Sequence, residues 1–148
     1  VVHITGDRAP VEDPHLDGYR LMTYCDRMEL ALSAADLAIS RAGSATVSEL
    51  AALGIPAVFV PYEVSNGEQA LNARDAVDAG GALLVNDADF TADWVRARFL
   101  TLLEDPALVA DMAARMALTG HRDGADRLVD MVQAAAASRG SADAAREG

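Results

Sequence analysis

Ser40-Arg41-Ala42-Gly43-Ser44-Ala45-Thr46-Val47-Ser48-Glu49 is the stretch on which the reading of this chain turns. A short apolar run, Asp36 to Ser40, ends there, small residues make a tight turn, and a helical pattern from Ala45 to Leu53 begins at once. A strand that passes directly into a helix is the repeating unit of an α/β fold. A helix start also carries unpaired N–H groups and a partial positive charge, which makes it a natural seat for phosphate. Gly43 lets the backbone approach an anion, and Ser44 and Thr46 add hydroxyl donors. The carboxyl end of a strand is where open α/β sheets bind their ligands. A plainer explanation stands beside this one, because Thr46-Val47-Ser48-Glu49 fits the capping-box pattern, which places a Thr and a Glu at any helix start.

Outward from this stretch the same alternation continues. Val1 to Thr5, Arg20 to Tyr24, Asp36 to Ser40, Ala57 to Val60 and Ala82 to Val85 read as strands. Helices are predicted at about Arg27 to Ser33, Ala45 to Leu53 and Glu68 to Ala79, with Gly54 and Gly80 as C-terminal caps and Pro56 opening the strand that follows. The expected architecture is therefore α/β, a Rossmann-like parallel sheet with helices on both faces. Beyond Val85 only helical periods remain: Val95, Phe99, Leu102 and Leu103 share one face, Leu108, Met112 and Met116 another, and Ala125, Leu128, Val129 and Val132 a third. These predict a helical cover over the sheet. From residue 134 the composition turns to Ala, Ser, Gly and charge, that of a frayed tail, so the expected domain is 1–133 and the tail 134–148.

A second segment, Pro61-Tyr62-Glu63-Val64-Ser65-Asn66-Gly67-Glu68-Gln69-Ala70-Leu71-Asn72, repeats the geometry of strand, loop and helix start. Glu68 and Asn72 stand four apart and Gln69 and Asn72 three apart, so all three can converge near the first turn of the helix. Amides and carboxylates grouped in this way suit the hydroxyls of a sugar ring. Ser65-Asn66-Gly67-Glu68 is again a possible capping box; it accounts for Glu68 but not for Gln69 and Asn72.

The bulk composition removes whole classes of function. With 12 basic against 23 acidic residues, the formal net charge is −11 and the pI about 4.5, which repels nucleic-acid backbones and anionic lipid surfaces. No run approaches the roughly 18 to 20 apolar residues of a membrane span, and the first residues lack the basic and apolar regions of a signal peptide, so a soluble domain without direct membrane insertion is expected. The single cysteine, Cys25, has no internal partner, which suits a reducing cytoplasm. His3, His15 and His121 lack metal-ligand spacing. Ser44 and Ser48 are not set in Gly-x-Ser-x-Gly, and the glycine spacing of a dinucleotide fingerprint is missing. Hydrolase and dehydrogenase chemistry both lose ground.

Four ordered blocks resemble the MurG-type N-acetylglucosaminyltransferases of peptidoglycan synthesis, in their actinobacterial form. They are Tyr24-Cys25-Asp26-Arg27-Met28, the run from Ala34 to Leu50, Gly54-Ile55-Pro56-Ala57-Val58-Phe59-Val60-Pro61, and Asn66-Gly67-Glu68-Gln69-Ala70-Leu71-Asn72-Ala73. The resemblance runs from Val1 to Ala134. It implies the C-terminal, donor-binding half of a GT-B glycosyltransferase, lacking the N-terminal domain and also the first strand and glycine-rich loop of its own domain.

Carried over residue by residue, the resemblance implies that the backbone at Cys25 meets the uracil edge of UDP-N-acetylglucosamine. Gly43 and the turn of Ser44, Ala45 and Thr46 would hold the diphosphate, and Glu49 the ribose hydroxyls. Gln69 would contact the N-acetylglucosamine ring, with Glu68 beside it, where other members often carry a second glutamine, and Asn72 as a neighbour. The reaction implied is an inverting transfer of N-acetylglucosamine to a lipid-linked muramoyl-pentapeptide, without a cofactor or metal. The acceptor site and catalytic base would lie in the missing N-terminal domain, at the cytoplasmic face of the plasma membrane. Two alternatives are another GT-B enzyme, such as an antibiotic or glycolipid glycosyltransferase or a UDP-sugar epimerase, and a non-catalytic binding module. The block from Asn66 to Asn72 argues against the first, and the number of matching donor-site positions against the second.

Overall fold

The structure, a computed structural model, describes residues 1–7, 11–62 and 67–144. Each of the five strands forms where the apolar runs predict it, trimmed to three residues: β1 (Val2–Ile4), β2 (Arg20–Met22), β3 (Ala38–Ser40), β4 (Ala57–Phe59) and β5 (Ala82–Leu84). They do not make one sheet. β1 pairs in parallel with β2, and β3, β4 and β5 make a separate parallel sheet in that order. Alternation of strands and helices dictates parallel pairing, but which strands become neighbours is decided by contacts distant in sequence.

β4 is the centre of the larger sheet, and its sequence says why. Ala57, Val58, Phe59 and Val60 are all buried, the continuous apolar run of a strand covered on both faces. On one face, Ala57 and Phe59 pack with Val47, Leu50 and Ala51 of α2 (Ser44–Leu53), Ala73 and Ala76 of α3 (Glu68–Asp78), and Met116. On the other, Val58 and Val60 pack with Val85, Leu102 and Met112. Each fully buried Phe59, Leu50 or Met116 side chain contributes about 1.5 to 3 kcal/mol by leaving water. The short α1 (Met28–Ser33) precedes β3.

Both predicted glycine caps form. Gly54 follows α2 with φ 70°, and the next N–H, of Ile55, reaches back to the Leu50 carbonyl at 2.9 Å. Gly80 follows α3 with φ 78°, and the Gly81 N–H bonds the Ala76 carbonyl at 2.8 Å. Each is a Schellman ending, which needs the left-handed conformation glycine adopts without strain.

After β5, α4 (Ala92–Trp94), a π-helical stretch (Val95–Phe99), α5 (Leu100–Leu103) and α6 (Pro106–Ala117) follow. Thr91 and Asp105 cap the starts of α4 and α6, accepting from the Trp94 and Leu108 N–H groups. Of the predicted faces, Leu102, Met112 and Met116 reach the core, whereas Leu103 and Leu108 are exposed. The last helix departs further from expectation. α7 (Gly124–Ala144) has the predicted period, yet Leu128, Val129 and Val132 are all more than half exposed, so its stripe does not cover the sheet. α7 also runs through the first part of the stretch from residue 134 whose composition suggested a frayed tail, since a run of Ala is a strong helix former. No helix among the described residues is long and apolar enough to cross a membrane.

Candidate functional site

The carboxyl ends of β3, β4 and β5 lie side by side, and the chain leaves each through a segment with polar side chains. After β3 comes the turn Arg41-Ala42-Gly43 and the start of α2. Gly43 is the N-cap, with φ −64° and ψ 145°, and its carbonyl accepts the first helical bond from Val47 at 3.0 Å. The N–H groups of Ser44, Ala45 and Thr46 therefore have no acceptor within the helix, and no side chain caps this start. A Cβ at Gly43 would meet nothing within 4 Å, so neither packing nor backbone conformation demands glycine there. What its missing side chain does is leave the approach to those N–H groups open.

This start corrects the capping-box expectation for Thr46 and Glu49. The N-cap lies three residues earlier than the box requires, because the helix begins directly behind Gly43. Thr46 sits inside the first turn. Glu49 stands one turn on, exposed, on the same face as Ala45 and Thr46.

α3 begins behind Gly67, whose φ of 79° suits glycine, and not behind Ser65; Ser65 and Asn66 lie outside the described residues. Glu68 is exposed in the first turn, where a carboxylate is favoured by the helix dipole. Gln69 and Asn72, three apart on one face, each bond the backbone of a neighbouring loop. The Gln69 Oε1 accepts from the Tyr62 N–H at 3.0 Å, and the Asn72 Nδ2 donates to the Ala42 carbonyl at 3.1 Å. An amide has two ends. Fixing the oxygen of Gln69 turns its Nε2 donors elsewhere, and fixing the nitrogen of Asn72 turns its Oδ1 acceptor elsewhere. A donor and an acceptor a helical turn apart match hydroxyl groups, which both accept and donate.

Two residues of this edge, Arg41 and Asp87, escaped the reading of the sequence. Arg41 bonds the Val60 and Pro61 carbonyls through Nη1, at 3.2 and 3.4 Å, and forms an ion pair with Asp87 beyond β5. Its guanidinium lies 5.6 Å from the centre of the Tyr62 ring. Arg41 stands inside the decisive stretch and is the only charged residue between β3 and α2, a signal that was available. Asp87 is 46 residues away in sequence, and nothing local pairs the two.

The structure thus brings Gly43, Ser44, Ala45, Thr46, Glu49, Glu68, Gln69 and Asn72 to the ends of adjacent strands. Cys25 follows β2, in the other sheet, and is half-buried. Among the described residues, no group of three or more His, Cys, Asp or Glu side chains is placed to hold a metal ion.

The chain matches the model of the glycosyltransferase family 28 C-terminal domain over residues 1–128. Two curated relatives are named UDP-N-acetylglucosamine--N-acetylmuramyl-(pentapeptide) pyrophosphoryl-undecaprenol N-acetylglucosamine transferase. The protein of Clavibacter michiganensis subsp. michiganensis is 53% identical over 146 residues, 99% of this chain and 40% of its own length. That of Leifsonia xyli subsp. xyli is 55% identical over 133 residues, 90% of this chain and 37% of its own. The chain therefore spans about 40% of the length of the curated relatives it matches. Among solved structures, MurG of Acinetobacter baumannii superposes with a TM-score of 0.73 at 31% identity, over 78% of this chain and 33% of the other. Parallel sheets flanked by helices, aligned in this way, are the C-terminal part of the GT-B glycosyltransferase fold. With the family model covering 128 of the 148 residues, the chain belongs to the glycosyltransferase family 28 C-terminal domain.

Proposed function

We propose that this chain is the donor-binding part of an inverting glycosyltransferase that transfers N-acetylglucosamine from UDP-N-acetylglucosamine to a lipid-linked muramoyl-pentapeptide. The observation that carries the reading is the uncapped start of α2, open at the sheet's edge, with the Gln69 and Asn72 amides oriented nearby. The diphosphate takes the N–H groups of Ser44, Ala45 and Thr46, with Gly43 leaving the approach clear. Glu49, one turn along, accepts from the ribose hydroxyls. Gln69 and Asn72 meet the sugar hydroxyls, Glu68 borders them, and the backbone at Cys25 meets the uracil. The names of the relatives support both the donor and the acceptor.

In the transfer, the acceptor hydroxyl attacks the anomeric carbon, the bond to the diphosphate oxygen breaks, and UDP leaves. The start of α2 stabilises the negative charge that grows on the leaving diphosphate, by dipoles already oriented before reaction. No metal or cofactor is required in this reading. The acceptor and the base that takes its proton are supplied by the portion of the relatives' length outside this match, and the whole enzyme works at the cytoplasmic face of the membrane. Calorimetric titration of the 148-residue chain with UDP-N-acetylglucosamine, with and without chelator, tests the reading. Saturable binding that survives chelation is expected; binding lost on chelation overturns the metal-free reading, and no binding of UDP or its sugar overturns the donor site.

A further inference from the structure

We propose that Asp87 and Arg41 form a positioning pair that sets the sugar-facing amide of Gln69 from the far side of the sheet. The inference rests on the donor-site reading above. It comes from a closed circuit of bonds. Asp87, beyond β5, pairs with Arg41, beyond β3; Arg41 holds the Val60 and Pro61 carbonyls at 3.2 and 3.4 Å, beyond β4. The peptide after Pro61 carries the Tyr62 N–H, which donates to the Gln69 Oε1 at 3.0 Å. From Gln69 the first turn of α3 leads to Asn72, whose amide returns to Ala42, the neighbour of Arg41, at 3.1 Å.

Each bond is weak alone, and Arg41 and Asp87 are about half exposed, which makes the pair a poor source of global stability. Its effect is directional. A single nitrogen of Arg41 reaches three acceptors, and Asp87 is the charged one among them, the other two being neutral carbonyls. Without it Arg41 swings toward solvent, the Pro61–Tyr62 peptide loosens, and Gln69 loses the bond that aims its Nε2. The phosphate seat, built from α2 N–H groups, stays intact. Asp87 thus acts on the sugar through Arg41 and Tyr62 and touches no substrate atom.

Two readouts on the 148-residue chain test this. Hydrogen exchange of the Tyr62 amide, followed by NMR without ligand, should speed about fivefold or more in Asp87→Ala, and less in Asp87→Asn, which keeps an acceptor. Affinity for UDP-N-acetylglucosamine should fall about five- to tenfold in Asp87→Ala while affinity for UDP changes less than about twofold. Asp89→Ala removes an equal charge from the same loop, where Asp89 bonds Asn86, and should change neither. An unchanged Tyr62 amide, an equal loss for UDP and its sugar, or the same effect from Asp89→Ala overturns the proposal. If Tyr62 responds but the wild-type chain binds neither UDP nor UDP-N-acetylglucosamine, the coupling stands and the donor-site reading falls.

Discussion

The Asn72 side chain donates to the Ala42 carbonyl at 3.1 Å, so the first turns of α3 are tied to the residue just before the open start of α2. A side chain from one strand–helix unit thereby fixes the backbone of the other. The two helix starts are joined by a direct bond. Replacing Asn72 tests its bond to the Ala42 carbonyl. Asn72→Ala should cost about 1 kcal/mol of stability, the net value of one such bond, and weaken UDP-N-acetylglucosamine binding. Asn72→Asp should bind more weakly still, because a carboxylate cannot donate to a carbonyl and adds negative charge near a diphosphate. Thermal melts and titration calorimetry measure both; an Asp variant that binds better than Ala would contradict the arrangement.

Gly81 tests the packing of the sheet against α6. A Cβ there would sit 2.5 Å from the Met116 Cα and 2.6 Å from its N, both backbone atoms that cannot swing aside. Gly81→Ala should therefore destabilise by about 1 to 3 kcal/mol, the range for overpacking a filled core. Chemical denaturation should show a lower midpoint with an unchanged slope.

Met116 of α6 and the exposed stripe of α7 give opposite expectations. Met116 is fully buried, so Met116→Ala should cost about 2 to 5 kcal/mol. Leu128→Ser and Val132→Ser lie on the exposed stripe of α7 and should stay within about 0.5 kcal/mol of the parent chain. Equal losses for Met116→Ala and Leu128→Ser in denaturation curves would mean that α7 packs on the core after all.

These contrasts mark where the sequence was legible. The run Ala57-Val58-Phe59-Val60 announces a doubly covered strand because burial on both faces leaves no polar position, and Gly54 and Gly80 announce helix ends because few other residues adopt their φ. Local chemistry sufficed in both cases. It did not suffice for α7, whose stripe at Leu128, Val129 and Val132 records a helical period without saying what it meets. Nor did it suffice for the strand order, since the splitting of β1 and β2 from the larger sheet depends on pairings between distant segments. The start of α2 was legible to within a residue, but its capping box was misplaced, because Thr46-Val47-Ser48-Glu49 satisfies the same pattern three residues too late. Arg41 and Asp87 meet only in three dimensions.

Glu49 is where the corrected cap sharpens an experiment. With Gly43 as N-cap, Glu49 closes no box, so neither Glu49→Gln nor Glu49→Ala should shift stability by more than about 0.5 kcal/mol, the range for a surface site. Under a capping role, Ala would cost up to about 1 kcal/mol more than Gln. Donor binding should separate from stability altogether. A carboxylate accepts two charge-assisted bonds from neighbouring ribose hydroxyls, whereas an amide offers one neutral acceptor and a donor group. Both variants should therefore lose roughly 1 to 3 kcal/mol of affinity for UDP-N-acetylglucosamine, the scale of hydrogen bonds to a charged group. A donor lacking the 2′ and 3′ hydroxyls supplies the control: it should bind the parent chain and Glu49→Gln almost equally, because the group that distinguishes them has nothing to hold. Should Glu49→Gln bind the intact donor as tightly as the parent chain, the ribose lies elsewhere along α2, and Glu49 is an exposed residue without a part in the site.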